Sequence, residues 1–292
     1  MNYQHAFHAG NFADVHKHAV LVRILTYLRL KPAAFRVIDS HAGAGRYDLF
    51  GAEPSRSGEW RNGIAPVWGA LRDGDSASDG ASNSAMAPAR ALLAPYLDAV
   101  AEANPGGKLR VYPGSPVLAL HLLRPQDRLI ACELEPRSAA ALQAALRSDA
   151  RAKALPLDGW MALTAYVPPK ERRGLVLVDP PFEDAADFQR LSGTLAAAHR
   201  KWPTGIYLLW YPIKQREAPD ALARRLQRLG IAKVLRTELT LGPPRADAGL
   251  VGSGLMVVNP PFTLAAELRT LLPALAGLLS PQAAYRTDWL VQ

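Results

Sequence analysis

The sequence predicts an α/β fold built on a largely parallel sheet with helices on both faces, and three observations carry that reading. Short apolar runs alternate with helical patterns along most of the chain, the signature of strand–helix–strand units. A turn of small residues, Ser40-His41-Ala42-Gly43-Ala44-Gly45, follows the first apolar run directly, as the cofactor edge of a doubly wound sheet requires. Later runs end on acidic residues, Glu133, Asp158 and Asp179, so carboxylates would gather at one sheet edge.

Taken in order, Asp14 to Leu30 carries Leu21, Ile24, Leu25 and Leu28 at helical spacing and is stopped by Lys31-Pro32, which predicts a helix leading into the first strand, Phe35 to Asp39. After Gly45 the character changes. Trp60, Trp68 and a helical stretch from Ala87 to Ala103 flank a Ser/Gly/Asp/Ala tract from Asp73 to Ala85, whose composition predicts a mobile loop within an insertion. Residues 1–47 and 106–292 are therefore expected to form one α/β domain, and residues 48–105 a small helical insertion. Alternation then resumes with a strand over Arg128 to Glu133, a helix over Pro136 to Leu146, and a short strand over Ala154 to Asp158. A strand over Leu175 to Asp179, a helix over Asp184 to Lys201 and a strand over Gly205 to Trp210 follow. Ala232 to Leu241 and Gly254 to Asn259 read as terminal strands that include an antiparallel pair.

Composition narrows the function classes. The 292 residues are 49% apolar, enough for an ample core. Lysine plus arginine outnumber aspartate plus glutamate by 34 to 26, a formal charge of +8, which favours a polyanionic partner. One cysteine, Cys132, lies inside an apolar run, so a disulfide framework or thiolate metal site is excluded. The first residues carry histidines, Asp14 and Lys17 where a leader would need an apolar core, and no stretch has the length of a membrane span. The expectation is a cytoplasmic monomer, with no sign of a coiled coil.

Ala42, Gly43, Ala44 and Gly45 would let backbone approach a ligand closely. Glu133 at the next strand end suits two ribose hydroxyls, and Asp158-Gly159 suits an adenine edge, so an adenosine-bearing cofactor is expected. A nicotinamide dinucleotide and S-adenosylmethionine both fit that description; the tetrad Asp179-Pro180-Pro181-Phe182 after Leu175-Val176-Leu177-Val178 separates them. The exocyclic amine of adenine is a poor nucleophile because its lone pair is delocalised. An Asp179 carboxylate and the Pro180 carbonyl would accept from that amine and orient it toward a methyl sulfonium, with Phe182 stacked on a base splayed out of its helix. Hydride transfer needs no such tetrad.

A second tetrad, Asn259-Pro260-Pro261-Phe262, ends a strand expected to run antiparallel, which would carry it to the opposite edge, and is given a structural role. Four of the seven histidines, His5, His8, His16 and His18, precede residue 19. His16 and His18 are two apart on a helix and point in different directions, so a metal site is not expected; Tyr3, His5, His8, Lys17 and His18 read instead as a polar face closing over cofactor or RNA. The basic runs Lys170 to Arg173 and Arg224 to Arg228 could grip phosphates or be solvated faces.

The chain resembles the bacterial 23S ribosomal RNA adenine-N6 methyltransferases of type J. The resemblance rests on His5-Ala6-Phe7-His8-Ala9-Gly10-Asn11, Lys17-His18, His41 to Tyr47, Tyr112-Pro113-Gly114-Ser115-Pro116, Glu133-Leu134, Asp158-Gly159, Asp179-Pro180-Pro181, and Leu209-Trp210-Tyr211-Pro212, in order along nearly the whole chain. It implies a Rossmann-like methyltransferase fold, S-adenosylmethionine as methyl donor, 23S ribosomal RNA as substrate, and no metal. By position it implies a cofactor site of His18, His41, Ser115, Glu133, Asp158, Gly159 and Asp179, with Asp179 also catalytic and Tyr3 contacting the RNA. Phe182 stands where the family often has tyrosine, and the tract 73–85 is longer than usual. A DNA adenine methyltransferase and a non-catalytic ribosome-binding protein are the alternative readings.

Overall fold

A computed structural model describes residues 4–72, 80–184, 186–243 and 249–292. Tyr3 and residues 73–79 of the Ser/Gly/Asp/Ala tract lie outside them. In chain order the elements are α1 (Phe12–Arg29), β1 (Arg36–Asp39), β2 (Arg46–Asp48), α2 (Ala52–Ser57), α3 (Ile64–Arg72), α4 (Gly80–Glu102), β3 (Val111–Pro113), α5 (Ser115–Leu122) and β4 (Arg128–Cys132). They continue as α6 (Pro136–Leu146), β5 (Ala152–Leu155), α7 (Gly159–Ala165), β6 (Gly174–Val178), α8 (Asp187–Lys201), β7 (Ile206–Ile213), α9 (Glu217–Arg228), β8 (Val234–Thr240), β9 (Gly252–Val258), α10 (Leu264–Leu279) and β10 (Ala284–Val291).

The main sheet has eight strands in the order β10-β8-β9-β7-β6-β1-β4-β5. From β7 to β5 neighbouring strands are parallel; β9 is antiparallel to both β7 and β8, and β10 is antiparallel to β8. The chain starts at the centre with β1, builds β4 and β5 to one side, then crosses to β6 on the other. That crossing is the strand-order reversal at which open α/β sheets bind ligands. Because side chains alternate across a strand, Val37, Leu175, Leu177 and Leu208 face one core with α1, α5 and α10, whereas Ile38, Val176, Val178 and Leu209 face a second core with α8 and α9. Both faces are covered, which is why these strands read as continuous apolar runs.

Local signals fix the helix starts. Asn11 caps α1 by accepting from the Asp14 amide, Glu135 caps α6 ahead of Pro136, and Asp158 caps α7, each satisfying amides that the first turn leaves unpaired. The segment between β2 and β3 does not stand apart from the rest. Trp68, Leu71, Tyr96, Leu97 and Val100 share the core of α1 and α10, and the antiparallel β2–β3 pair closes its base. The expectation of a loop through Ala85 is corrected in part, since α4 begins at Gly80 and residues 80–85 are helical. Among the described residues no helix is long and apolar enough to cross a membrane.

Candidate active site

The parallel register delivers the strand-end carboxylates to one edge. Asp39 pairs with Ala131 on one side and Leu177 on the other, so Glu133 and Asp179 each stand two residues beyond, flanking the glycine turn. A cavity of about 320 Å³ opens there, lined by His18, His41, Ser115, Glu133, Asp158, Gly159 and Asp179. The Glu133 carboxylate accepts from the Gly43 amide at 2.9 Å and the Glu135 amide at 2.8 Å, which anchors it beneath the turn and leaves lone pairs toward the cavity. Asp158 accepts from the Trp160 amide at 2.9 Å and from Arg190 at 3.3 Å, so an adenine amine in this cavity would share or displace the guanidinium. Arg190 lies 4.8 Å from the centre of the Trp160 ring.

The turn is small because larger residues collide. At Gly43, φ is +60° and a Cβ would meet the Tyr47 hydroxyl at 2.2 Å; at Gly159 it would stand 2.0 Å from the Ser40 carbonyl oxygen. The Ser40 hydroxyl donates to the Leu177 carbonyl at 2.9 Å and lies 2.8 Å from His41 Nδ1. Its one proton being used, Nδ1 carries the hydrogen. Burial pushes the His41 imidazole down to about 4, so the ring is neutral with Nε2 as an acceptor. His18 is likewise held down to about 3 by burial, against the pull of Asp14, and its Nδ1 meets the Tyr112 hydroxyl at 2.7 Å.

A second cavity, about 970 Å³, adjoins the first and shares His5, Lys17, Asp179, Pro181 and Glu183 with it. Phe182 and Trp210 line the second cavity alone; Pro180 is buried and lines neither. Phe182 adopts φ of +51°, a left-handed conformation that is uncommon for a bulky residue and concentrates at functional sites. Its ring centre lies 4.7 Å from that of Phe188 and 5.7 Å from that of Trp210.

At the seam, the Lys17 ammonium is bonded to the Asp179 carboxylate and lies 2.9 Å from Asp14. Burial works against the Lys17 charge, but Asp14 and Asp179 outweigh it and hold the ammonium well above its usual value. Asp14 is buried and also accepts from the Gly10 amide at 2.9 Å, with His5 at 3.1 Å. Burial would raise its carboxyl, yet Lys17, His5 and His18 keep it well below the usual range.

Sequence reasoning placed Tyr3, His5, His8, Lys17 and His18 on a polar face; His5, His8 and Lys17 line the second cavity, His18 lines the first, and Tyr3 lies outside the described residues. His16 and His18 do diverge, toward Ser253 and Tyr112 respectively. Asp14, Asp39 and Trp210 were missed. Asp39 ends β1 fully buried; Ser115 Oγ donates to its Oδ2 at 2.6 Å, and its Oδ1 has no protein partner. Burial pushes this carboxyl up to about 7, against the Ser115 hydrogen bond. Its signal was present, since it follows the first apolar run as the other three acids follow theirs. The second tetrad lies at the far edge, where Asn259 donates to the Pro203 and Gly205 carbonyls. The run Lys170 to Arg173 is also structural in part: Glu171 holds Arg36, and Arg173 donates to the Ala33 and Leu28 carbonyls.

Known proteins resemble this chain over nearly its whole length. The family described as "Ribosomal RNA large subunit methyltransferase D, RlmJ" matches residues 32–291. A protein of Escherichia coli K12 named "Ribosomal RNA large subunit methyltransferase J" is 38% identical over 96% of this chain and 95% of its own length. A Haemophilus influenzae protein of the same name is 36% identical over 99% of each. The crystal structure of protein LPL1258 from Legionella pneumophila superposes with a TM-score of 0.84 at 32% identity, covering 97% of this chain and 98% of that one. On the strength of these matches over nearly its whole length, the chain belongs to the ribosomal RNA large subunit methyltransferase J family.

Proposed function

We propose that the chain is a methyltransferase that takes the methyl group of S-adenosylmethionine and places it on N6 of one adenine of 23S ribosomal RNA. The observation that carries this reading is the position of Asp179, which lines both cavities at their seam, beside the glycine turn on one side and Phe182 on the other. The first cavity is read as the cofactor site and the second as the acceptor site.

The residues present fit the cofactor. The Gly43 and Gly159 positions leave a backbone cradle that a Cβ would fill, and Glu133 keeps acceptor capacity for ribose hydroxyls. The buried Asp39 Oδ1 without a protein partner, next to Ser115, suits a nearby ammonium. When bound, S-adenosylmethionine supplies an electrophilic methyl on a sulfonium. Glu133, Asp158 with Gly159, His18, His41 and Ser115 would hold it.

Asp179 then accepts a hydrogen bond from the adenine amine and aims the N6 lone pair at the methyl carbon; Pro180, which lines neither cavity, is left to set the turn that carries Asp179. Lys17, fixed by Asp14, holds the Asp179 carboxylate in one orientation, so the acceptor is set before the base arrives. Transfer would exchange the sulfur–carbon bond for an N6–carbon bond; the Asp179 carboxylate would stabilise the positive charge gained at N6 and accept the proton that N6 then gives up. Phe182, and Tyr3 from the N-terminal end, contact an adenine flipped from its stack. The insertion of residues 48–105 braces the site through His18, and the chain acts as a monomer.

The test is to incubate the purified protein with methyl-labelled S-adenosylmethionine and unmodified 23S RNA, with genomic DNA in parallel, and to identify the labelled nucleoside. N6-methyladenosine from RNA alone is expected, with Asp179→Ala lowering the rate by at least about 100-fold while the melting curve stays cooperative. Label in DNA alone, or an active Asp179→Ala variant, would overturn the assignment.

A further inference from the structure

The second cavity is about three times the volume of the first, 970 against 320 Å³, and stands near the upper end of the range for ligand pockets. One flipped base against Phe182 accounts for only part of it. Beyond Phe182, away from the cofactor cavity, the wall is Trp210, with Pro212 and Lys214 following on the same strand and its continuation. Trp210 is the partly exposed residue of a strand whose other side chains are buried. Its ring is inclined 66° to that of Phe182, with centres 5.7 Å apart. A base lying flat on one ring meets the other edge-on, so a single base cannot stack on both.

The Trp210 ring is also held in place by a polar chain that the methyl transfer itself does not use. Trp210 Nε1 donates to Ser253 Oγ at 3.0 Å, Ser253 Oγ meets His16 Nδ1 at 3.0 Å, and His16 Nε2 meets Thr237 Oγ1 at 3.3 Å. Ser253, His16 and Thr237 are all fully buried. With the Ser253 proton directed to Nδ1, Nε2 carries the hydrogen and donates to Thr237, which needs a neutral imidazole. Burial provides one by pushing His16 down to about 3. A buried polar chain satisfied end to end specifies one arrangement, and here the group it fixes is an aromatic face on a cavity wall.

We propose that the second cavity is a two-nucleotide acceptor groove, in which the target adenine packs on Phe182, the adjoining base stacks on Trp210, and the exposed Lys214 ammonium contacts a phosphate beside them. The proposal rests on the reading of the second cavity as the acceptor site and deepens it. It identifies the ligand as two consecutive nucleotides unstacked from each other, and Ser253 and His16 as positioning residues that act through Trp210.

The test uses the full chain with unmodified 23S RNA transcript. Steady-state methylation, affinity for S-adenosylhomocysteine by calorimetry, and thermal unfolding are measured for Trp210→Ala, Trp210→Phe, Ser253→Ala and Lys214→Ala. Base–aromatic stacking predicts a rise in KM for RNA of about tenfold in Trp210→Ala, with S-adenosylhomocysteine affinity unmoved. Trp210→Phe should restore most of that loss, because a face remains without the tether. Ser253→Ala should raise KM by a smaller factor at nearly constant kcat. Lys214→Ala should reduce the slope of log affinity against log salt by about one. Unchanged KM in a folded Trp210→Ala would overturn the proposal, as would losses of cofactor affinity and melting temperature in parallel with KM, which mark a merely structural tryptophan. Should Trp210→Ala fail to fold, Ser253→Ala and Lys214→Ala decide between the same outcomes. A wild-type protein that leaves RNA unlabelled would sink the proposed function itself, a result distinct from any of these.

Discussion

At Gly159 the space for one methyl group is already taken. A Cβ there would stand 2.0 Å from the Ser40 carbonyl oxygen and 2.7 Å from two atoms of the His41 ring. The first turn of α7 therefore presses on the glycine turn after β1. Gly159→Ala is expected to cost about 1–3 kcal/mol, lowering the melting temperature by roughly 2–10 °C, and to weaken S-adenosylhomocysteine binding, both measurable by melting and calorimetry. Unchanged affinity with a lowered melting temperature would separate the packing role from the cofactor role. The dipeptide Asp158-Gly159 could be read from the sequence because its signal is local, a carboxylate and a glycine closing a short run. Glu133 and Asp179 were legible for the same reason. The pairings of residues with distant partners were not. Lys17 meets Asp179 across 162 positions and His16 meets Ser253 across 237, and no spacing rule connects such pairs before the strand order is known.

The elements show the same division between local and distant information. The helix α1 and the central strands followed from periodicity and composition, with ends displaced by at most three residues. The β2–β3 pair did not, since each strand is three residues long and some sixty residues separate them. Yet this pair places Tyr112 where it joins the insertion to α1. The Tyr96 hydroxyl of α4 meets the Tyr112 hydroxyl at 2.8 Å, and the latter meets His18 Nδ1 of α1 at 2.7 Å. All three residues are buried. Tyr112→Phe strands both neighbours and should cost about 1–3 kcal/mol in urea unfolding, while Tyr96→Phe leaves His18 paired and should cost less. The double variant should lose less than the sum of the two, because the second change removes a bond already broken. Strict additivity would mean that the hydroxyls do not form one chain.

Across the whole molecule, the buried ionisable groups set how stability depends on pH. His16 and His18 are pushed down to about 3 and His41 to about 4, in each case chiefly by burial. A histidine that cannot charge in the fold contributes stability that is complete above its unfolded value near 6.5 and is lost as pH falls below it. Asp39 acts in the opposite sense. Its carboxyl, raised to about 7 by burial, stays protonated in the fold through the range in which the unfolded chain has already released the proton. Between about pH 4.5 and 6, unfolding thus takes up three protons at the histidines and releases one at Asp39, a net uptake of two. Stability should then rise with pH by roughly 3 kcal/mol per unit across that window, and level off near neutrality. Removing one histidine, as in His16→Gln, should cut the slope to about half, and Asp39→Asn should steepen it by about half. Urea unfolding at a series of pH values measures all three slopes. A wild-type slope near zero would mean that the imidazoles charge within the fold, which for His16 would require water to reach a fully buried site.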